Sequence, residues 1–150
     1  MPNVSATCLI AADLLKRIGF TVDLQVMDWG TLIQRRAQDV APAQGGWNVV
    51  STSLNGSGVM DPAGHIGLRA DGRAAWVGWP TSPAIETLRA RWLEQDDLVA
   101  QKAVCRDIQA QFWLDVPYVP LGETYQPSAF NRRLTGIAAG FPLFYGVRMG

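Results

Sequence analysis

The chain has 150 residues, of which 48% are hydrophobic and 17% charged, with 13 basic and 13 acidic side chains. That is apolar material for one packed core, which argues against a disordered chain and fits one domain or one lobe of something larger. The balanced charge and the lack of any basic run argue against nucleic acid or an anionic membrane as partner. No run of about 18 apolar residues is present to span a membrane. The N-terminus MPNVSATCLIAADLLKRIGF also lacks the basic region and cleavage site of a secretory signal. An intracellular protein reads this way, and so does a mature or truncated form of an exported one. Cys8 and Cys105 are the two cysteines, no CxxC occurs, and His65 is the lone histidine, so neither a metal site nor a cofactor is expected. Both cysteines fall in helical patterns, as small buried hydrophobes or as one disulfide.

In chain order, Ala11, Leu14, Leu15 and Ile18 recur at helical spacing, predicting a helix over 5–18 that Gly19 caps. Phe20, Val22, Leu24 and Val26 then alternate with polar residues, the clearest strand pattern in the chain. Asp28 is placed to cap a helix over about 29–39, with Leu32, Ile33 and Ala37 inward and Arg35 outward. APAQGG reads as a turn and WNVVSTS as a second strand, completing a right-handed parallel βαβ unit.

Residues 54–82 form a long glycine-rich loop whose aromatic and apolar content argues for order. Ser82 and Pro83 start a helix ending near Glu94, with Ile85, Leu88 and Trp92 inward. Asp96 or Asp97 caps another over about 98–114, where Ala100, Val104, Ile108 and Phe112 repeat every fourth residue. Pro117 closes it, and VPYVPLGETY reads as an edge strand or crossover because of its two prolines. The tail from Pro127 has no strong pattern.

Catalytic signatures are sparse: there is no GxSxG, no GxxxxGK[ST] and no HExxH. Asp28, Asp61 and Glu123 could supply carboxylates, with caps and turns as the plainer explanation of the first two. Six tryptophans are more telling. Trp92 and Trp113 on helices read as core. Trp76 and Trp79 lie in the long loop, where they either line a cleft or pack locally. Asn55 and Ser57, just past the second strand, either hydrogen-bond a polar solute or serve the turn.

The stretches AADLLKRIGFTVDLQVMDWGTLIQRR, GGWNVVSTS, MDPAG and IQAQFWLDVPYVPLGETYQPSAF, with LTGI, together resemble the extracytoplasmic solute-binding proteins of ABC importers, family 5, the dipeptide and oligopeptide type. The likeness covers residues 5–137, and GWPTSPAIETLRARWLEQDDLVAQKA is similar to a subset carrying GWP before this helix pair. The resemblance implies an α/β lobe of the type II periplasmic-binding class, a mixed or parallel sheet flanked by helices. Residues 1–150 are then one domain, equivalent to the second, C-terminal lobe of a two-lobe protein, with the first lobe and the signal peptide absent. It implies a periplasmic parent that captures a small solute such as a peptide between its lobes, delivers it to a membrane permease, and does no chemistry. The expected solute-facing residues are Asn55, Ser57, Trp76 and Trp79, with Tyr125 as a further candidate that could equally close the core.

The chain departs from the family pattern where peptide binders carry W-x-x-D before DP. Here TSLNGSGVMDP keeps Asp61-Pro62 but has Leu54 and small or polar residues upstream, so a peptide's ammonium would lack its carboxylate there. Two rivals remain: a small hydrolase using Asp61 or Glu123 with His65, which requires those groups to converge, and a stand-alone interaction module. An apolar patch left bare by the missing lobe would also make the fragment dimerise.

Overall fold

The computed structural model describes residues 2–125, 127–140 and 143–150, and of residues 2 and 3 the backbone alone. Its helices are α1 (Pro2–Arg17), α2 (Trp29–Arg36), α3 (Pro83–Leu93) and α4 (Leu98–Asp115). Local chemistry sets their ends. Gly19, at φ 98°, lets its own N–H reach Lys16 O at 3.1 Å while Phe20 N reaches Leu15 O at 3.0 Å. These paired bonds close α1 through a left-handed glycine, a conformation that costs other residues energy. Asp28 accepts from Thr31 N at 3.0 Å, Ser82 from Ile85 N at 3.1 Å, and Asp97 from Val99 N and Ala100 N at 2.8 and 2.9 Å. Each satisfies a first-turn amide that has no partner inside its helix.

The core lies where α3 meets α4. Ile85, Val104, Ile108 and Phe112 face one another there, and Leu68 and Ala70 from the long loop close the cluster. Leu88, Trp92 and Tyr118 pack around it. The loop is therefore structure, tied down at several points. Arg89 Nε donates to Pro62 O at 3.0 Å, Ala70 N donates to Glu86 Oε1 at 2.7 Å, and Ser82 N donates to Ala70 O at 2.8 Å. Glu86 and Arg89 form a 2.7 Å ion pair beneath it. Ser82 also donates to Asp115, which joins the start of α3 to the end of α4.

The parallel or mixed sheet implied by the resemblance is not formed, and the chain is predominantly helical. The described residues hold one two-stranded antiparallel pair, β1 (Leu134–Thr135) with β2 (Arg148–Met149), far along the tail. Residues 21–27 and 47–53 run without strand structure, and no backbone–backbone hydrogen bond between described residues engages them. The alternating pattern is real, but a strand exists only through a ladder, and two lone strands are marginal in water. Residues 116–125 likewise form no edge strand; the helix before them ends at Val116, held left-handed at φ 46°.

Side chains do part of what the ladder would have done. Arg35, expected to face outward, donates from Nε to the carbonyls of Gly45 and Gly46, at 3.2 Å each, and from Nη1 to Gln25. Gly46 must be glycine: a Cβ there would sit 1.7 Å from Val40 O. The N-terminal stripe is only partly covered: Leu14 and Ile18 are exposed, Ala11 and Leu15 are half-buried, and Ala12 is the one buried residue among the described side chains of α1. Trp113, expected in the core, is 65% exposed. The accessible surface is 11285 Å², against about 7,500 Å² for a compact monomer of this mass.

Candidate functional site

Four of the six tryptophans assemble around α2. Trp29 and Arg36 are seven residues apart, two turns along one helix face. The Arg36 guanidinium carbon lies 5.7 Å from the centroid of Trp29 and 5.2 Å from that of Trp76. Both distances are in the range where a cation is drawn to an indole face. The Arg36 carbonyl accepts the indole N–H of Trp47 at 3.0 Å, and its Nη1 donates to Thr52 Oγ1 at 3.4 Å. Trp47 in turn lies against Trp79, ring centroids 6.3 Å apart at 36°.

A tight turn presents the two loop tryptophans. Trp79 N donates to Trp76 O at 2.9 Å, with Gly78 at φ 101° as the turn requires. Trp79 itself sits at φ 46°, a left-handed conformation worth about 1–3 kcal/mol of strain in a non-glycine residue. Arg73 pairs with Asp39 at 2.8 Å, fastening the same loop to the chain after α2. The result is a half-buried wall of indoles with a cation set into it.

A second constellation lies on the other helix pair. Val59, Met60, Asp61, His65, Cys105, Ile108, Phe112, Trp113 and Tyr118 are among the residues lining a cleft of about 410 Å³. His65 Nε2 is 3.0 Å from the Tyr118 hydroxyl, while its Nδ1 is buried without a hydrogen-bond partner among the described residues. Burial, with the nearby Arg89 charge adding to it against a backbone hydrogen bond, holds the imidazole pKa below its ordinary value of 6.5. Burial also raises the Tyr118 phenol above its usual value.

Of the residues expected to face a solute, Trp76 and Trp79 come together on the wall. Asn55 and Ser57 are exposed at a single turn of 3-10 helix, where Asn55 O accepts Gly58 N at 2.9 Å. Tyr125 is 86% exposed on the extended segment after α4. The hydrolase arrangement is not assembled. Asp61 accepts Gly64 N at 2.8 Å in its own turn, Glu123 is exposed, and His65 meets Tyr118 rather than either carboxylate. Cys8 and Cys105 are both free. No cluster of three or more histidine, cysteine or acidic residues suited to a metal occurs among the described residues, and no helix there is long and apolar enough to cross a membrane.

Arg36, Trp47 and Tyr118 were not singled out from sequence. Arginine on a short helix reads as a solvated face, and the signal that it is more is the seven-residue spacing from Trp29.

No family model matches the chain. A probable peptide ABC transporter periplasmic-binding protein of Sinorhizobium fredii (strain NBRC 101917 / NGR234) is 36% identical to it over 140 residues. The match takes in 93% of this chain and 26% of that protein, so the chain spans about a quarter of its relative's length. The resemblance to the solute-binding proteins of ABC importers is thus borne out by a named relative.

Proposed function

We propose that the chain serves as the second lobe of a two-lobed, periplasmic solute-binding protein of an ABC importer. The parent holds a small solute such as a peptide between its lobes and presents it to a membrane permease. The observation that carries this reading is the 36% identity over nearly the whole chain to a binding protein about four times as long. The excess of exposed surface supports it, because a lobe that normally packs against more protein leaves apolar faces bare when alone. In this reading Trp76 and Trp79 cover the solute, Asn55 and Ser57 orient it, and Tyr125 is a further candidate contact. No bond is made or broken, consistent with the relative's description as a binding protein and with the His65 imidazole meeting Tyr118 while the Asp61 carboxylate caps its own turn.

Half a cleft desolvates half a solute, so the isolated chain should bind weakly. The test is a chimera in which this chain replaces the aligned 140 residues of the S. fredii protein. A folded chimera should give saturable tryptophan-fluorescence changes with a mixture of di- to pentapeptides. A chimera that folds cooperatively yet responds to none of the peptides bound by the unmodified relative sinks the proposal.

The exposed Leu14 on α1 and Ile18 just past its end favour a second reading, in which the chain docks on another copy of itself. Sedimentation equilibrium of the chimera distinguishes the two, since with the rest of the relative restored a dimer at micromolar concentration supports the interaction module and a monomer the lobe.

A further inference from the structure

Arg36 is half-buried, its planar head lies between Trp29 and Trp76, and no carboxylate among the described residues pairs with it. Arg17, Arg69, Arg73, Arg89 and Arg91 have acidic partners; Arg106, Arg132, Arg133 and Arg148 have none among the described residues but are exposed, and the half-buried Arg35 is bonded to the carbonyls of Gly45 and Gly46 and to Gln25. A guanidinium carries five N–H donors along its edge and none on its faces. Here the guanidinium carbon sits over both indole rings, and the one described side-chain hydrogen bond of the head is the long contact to Thr52. Open indole faces are what aromatic boxes use to hold cationic solutes. In this wall the protein's own cation already occupies two of them.

Resting on the solute-binding reading above, we infer that Arg36 is the positioning and charge-selecting residue of the indole wall. It fixes the spacing of Trp29 and Trp76, and through its carbonyl that of Trp47. It fills the faces a solute cation would need, and it offers its remaining N–H edge to an anionic group. A solute therefore places its carboxylate, rather than its ammonium, against this part of the cleft. Its side chain joins α2 to the loop at Trp76 and to the 47–53 run at Thr52, so the charge and the shape of the wall change together.

Two experiments separate this inference from the reading it rests on. In the isolated chain, tryptophan quenching by iodide is compared with quenching by caesium. A guanidinium between two indoles favours iodide, and Arg36→Met should lower the iodide-to-caesium ratio by about two-fold, with Arg36→Lys intermediate. In a Trp29→Phe/Trp76→Phe background the Arg36→Met change should disappear, which assigns the effect to this wall. Far-UV circular dichroism confirms that each variant keeps its helices. In the chimera, N-acetyl-trialanine, an anion, should bind about tenfold tighter than trialanine amide, a cation, and Arg36→Met should erase that preference. An unchanged quenching ratio in Arg36→Met overturns the positioning role, and equal affinity for the two peptides overturns charge selection. A chimera that binds no peptide removes the parent reading and charge selection with it, while the quenching ratio still decides whether Arg36 builds the wall.

Discussion

Ile85, Val104 and Ile108 are 0%, 1% and 4% exposed, whereas Phe20, Val26 and Val49 are 61%, 83% and 70% exposed. These side chains are equally apolar and sit in patterns equally clear in the sequence. The difference is where each pattern finds its cover. The stripes of α3 and α4 are near in sequence, face each other, and receive Leu68 and Ala70 from the long loop that precedes α3. The runs at 20–26 and 47–53 call for neighbouring strands, which are not found among the described residues. Helical stripes can be satisfied by a near neighbour, while strands depend on distant ones.

The sharpest way to break this contrast is to damage the satisfied half. Ile85→Ala should cost about 2–5 kcal/mol in urea unfolding, because its cavity opens in the one formed core. A loss under about 1 kcal/mol would mean that half is as loosely held as the other. Next in size is Ser82→Ala, which removes the α3 cap and its link to Asp115 and should cost about 1 kcal/mol. Substituting Gly46 tests the other half: alanine there forces the 40–46 turn apart, and loosening of Trp47 should appear as a red-shifted emission.

A smaller effect is set by pH. His65 titrates below its usual value of 6.5 when folded, so the folded state takes up a proton less readily than the unfolded one. Its contribution is whole above pH 6.5 and is lost as pH falls through the depressed folded value. The melting temperature should therefore drop on mild acidification, and His65→Gln should flatten that slope. Asp71, held low by Arg69, and Asp115, held low by the Ser82 hydroxyl, act only further down, below their ordinary 3.8.

Smallest of all should be Val26→Ala, within about 0.5 kcal/mol in the isolated chain. In the chimera the same change should cost about 1–2 kcal/mol if residues 20–26 then gain a ladder and cover. Equal, negligible costs in both would show that the alternating pattern is not a strand in the parent either.

Much of the helical half was legible because its determinants are local. Asp28, Ser82, Asp97 and Gly19 announce helix ends through their own hydrogen bonds or dihedral angles, and the fourth-residue repeat from Val104 to Phe112 needs only a facing helix. The sheet was not legible as formed or unformed, since alternation reports which face is apolar and not whether a partner is present. Trp113 misled because its helical position suggested core, but its neighbour Phe112 is the one turned inward. Trp76 and Trp79 share one turn, but the arginine that meets Trp76 lies forty residues away and looked like surface.

The unladdered runs near Val26 and Val49 have one more consequence. Amide and carbonyl groups left open along an extended backbone will bond to any strand that meets them, including the same run on a neighbouring molecule. Concentrated stocks should therefore lose protein to strand pairing between copies, and storage dilute, or with a complementary strand peptide added, should slow that loss.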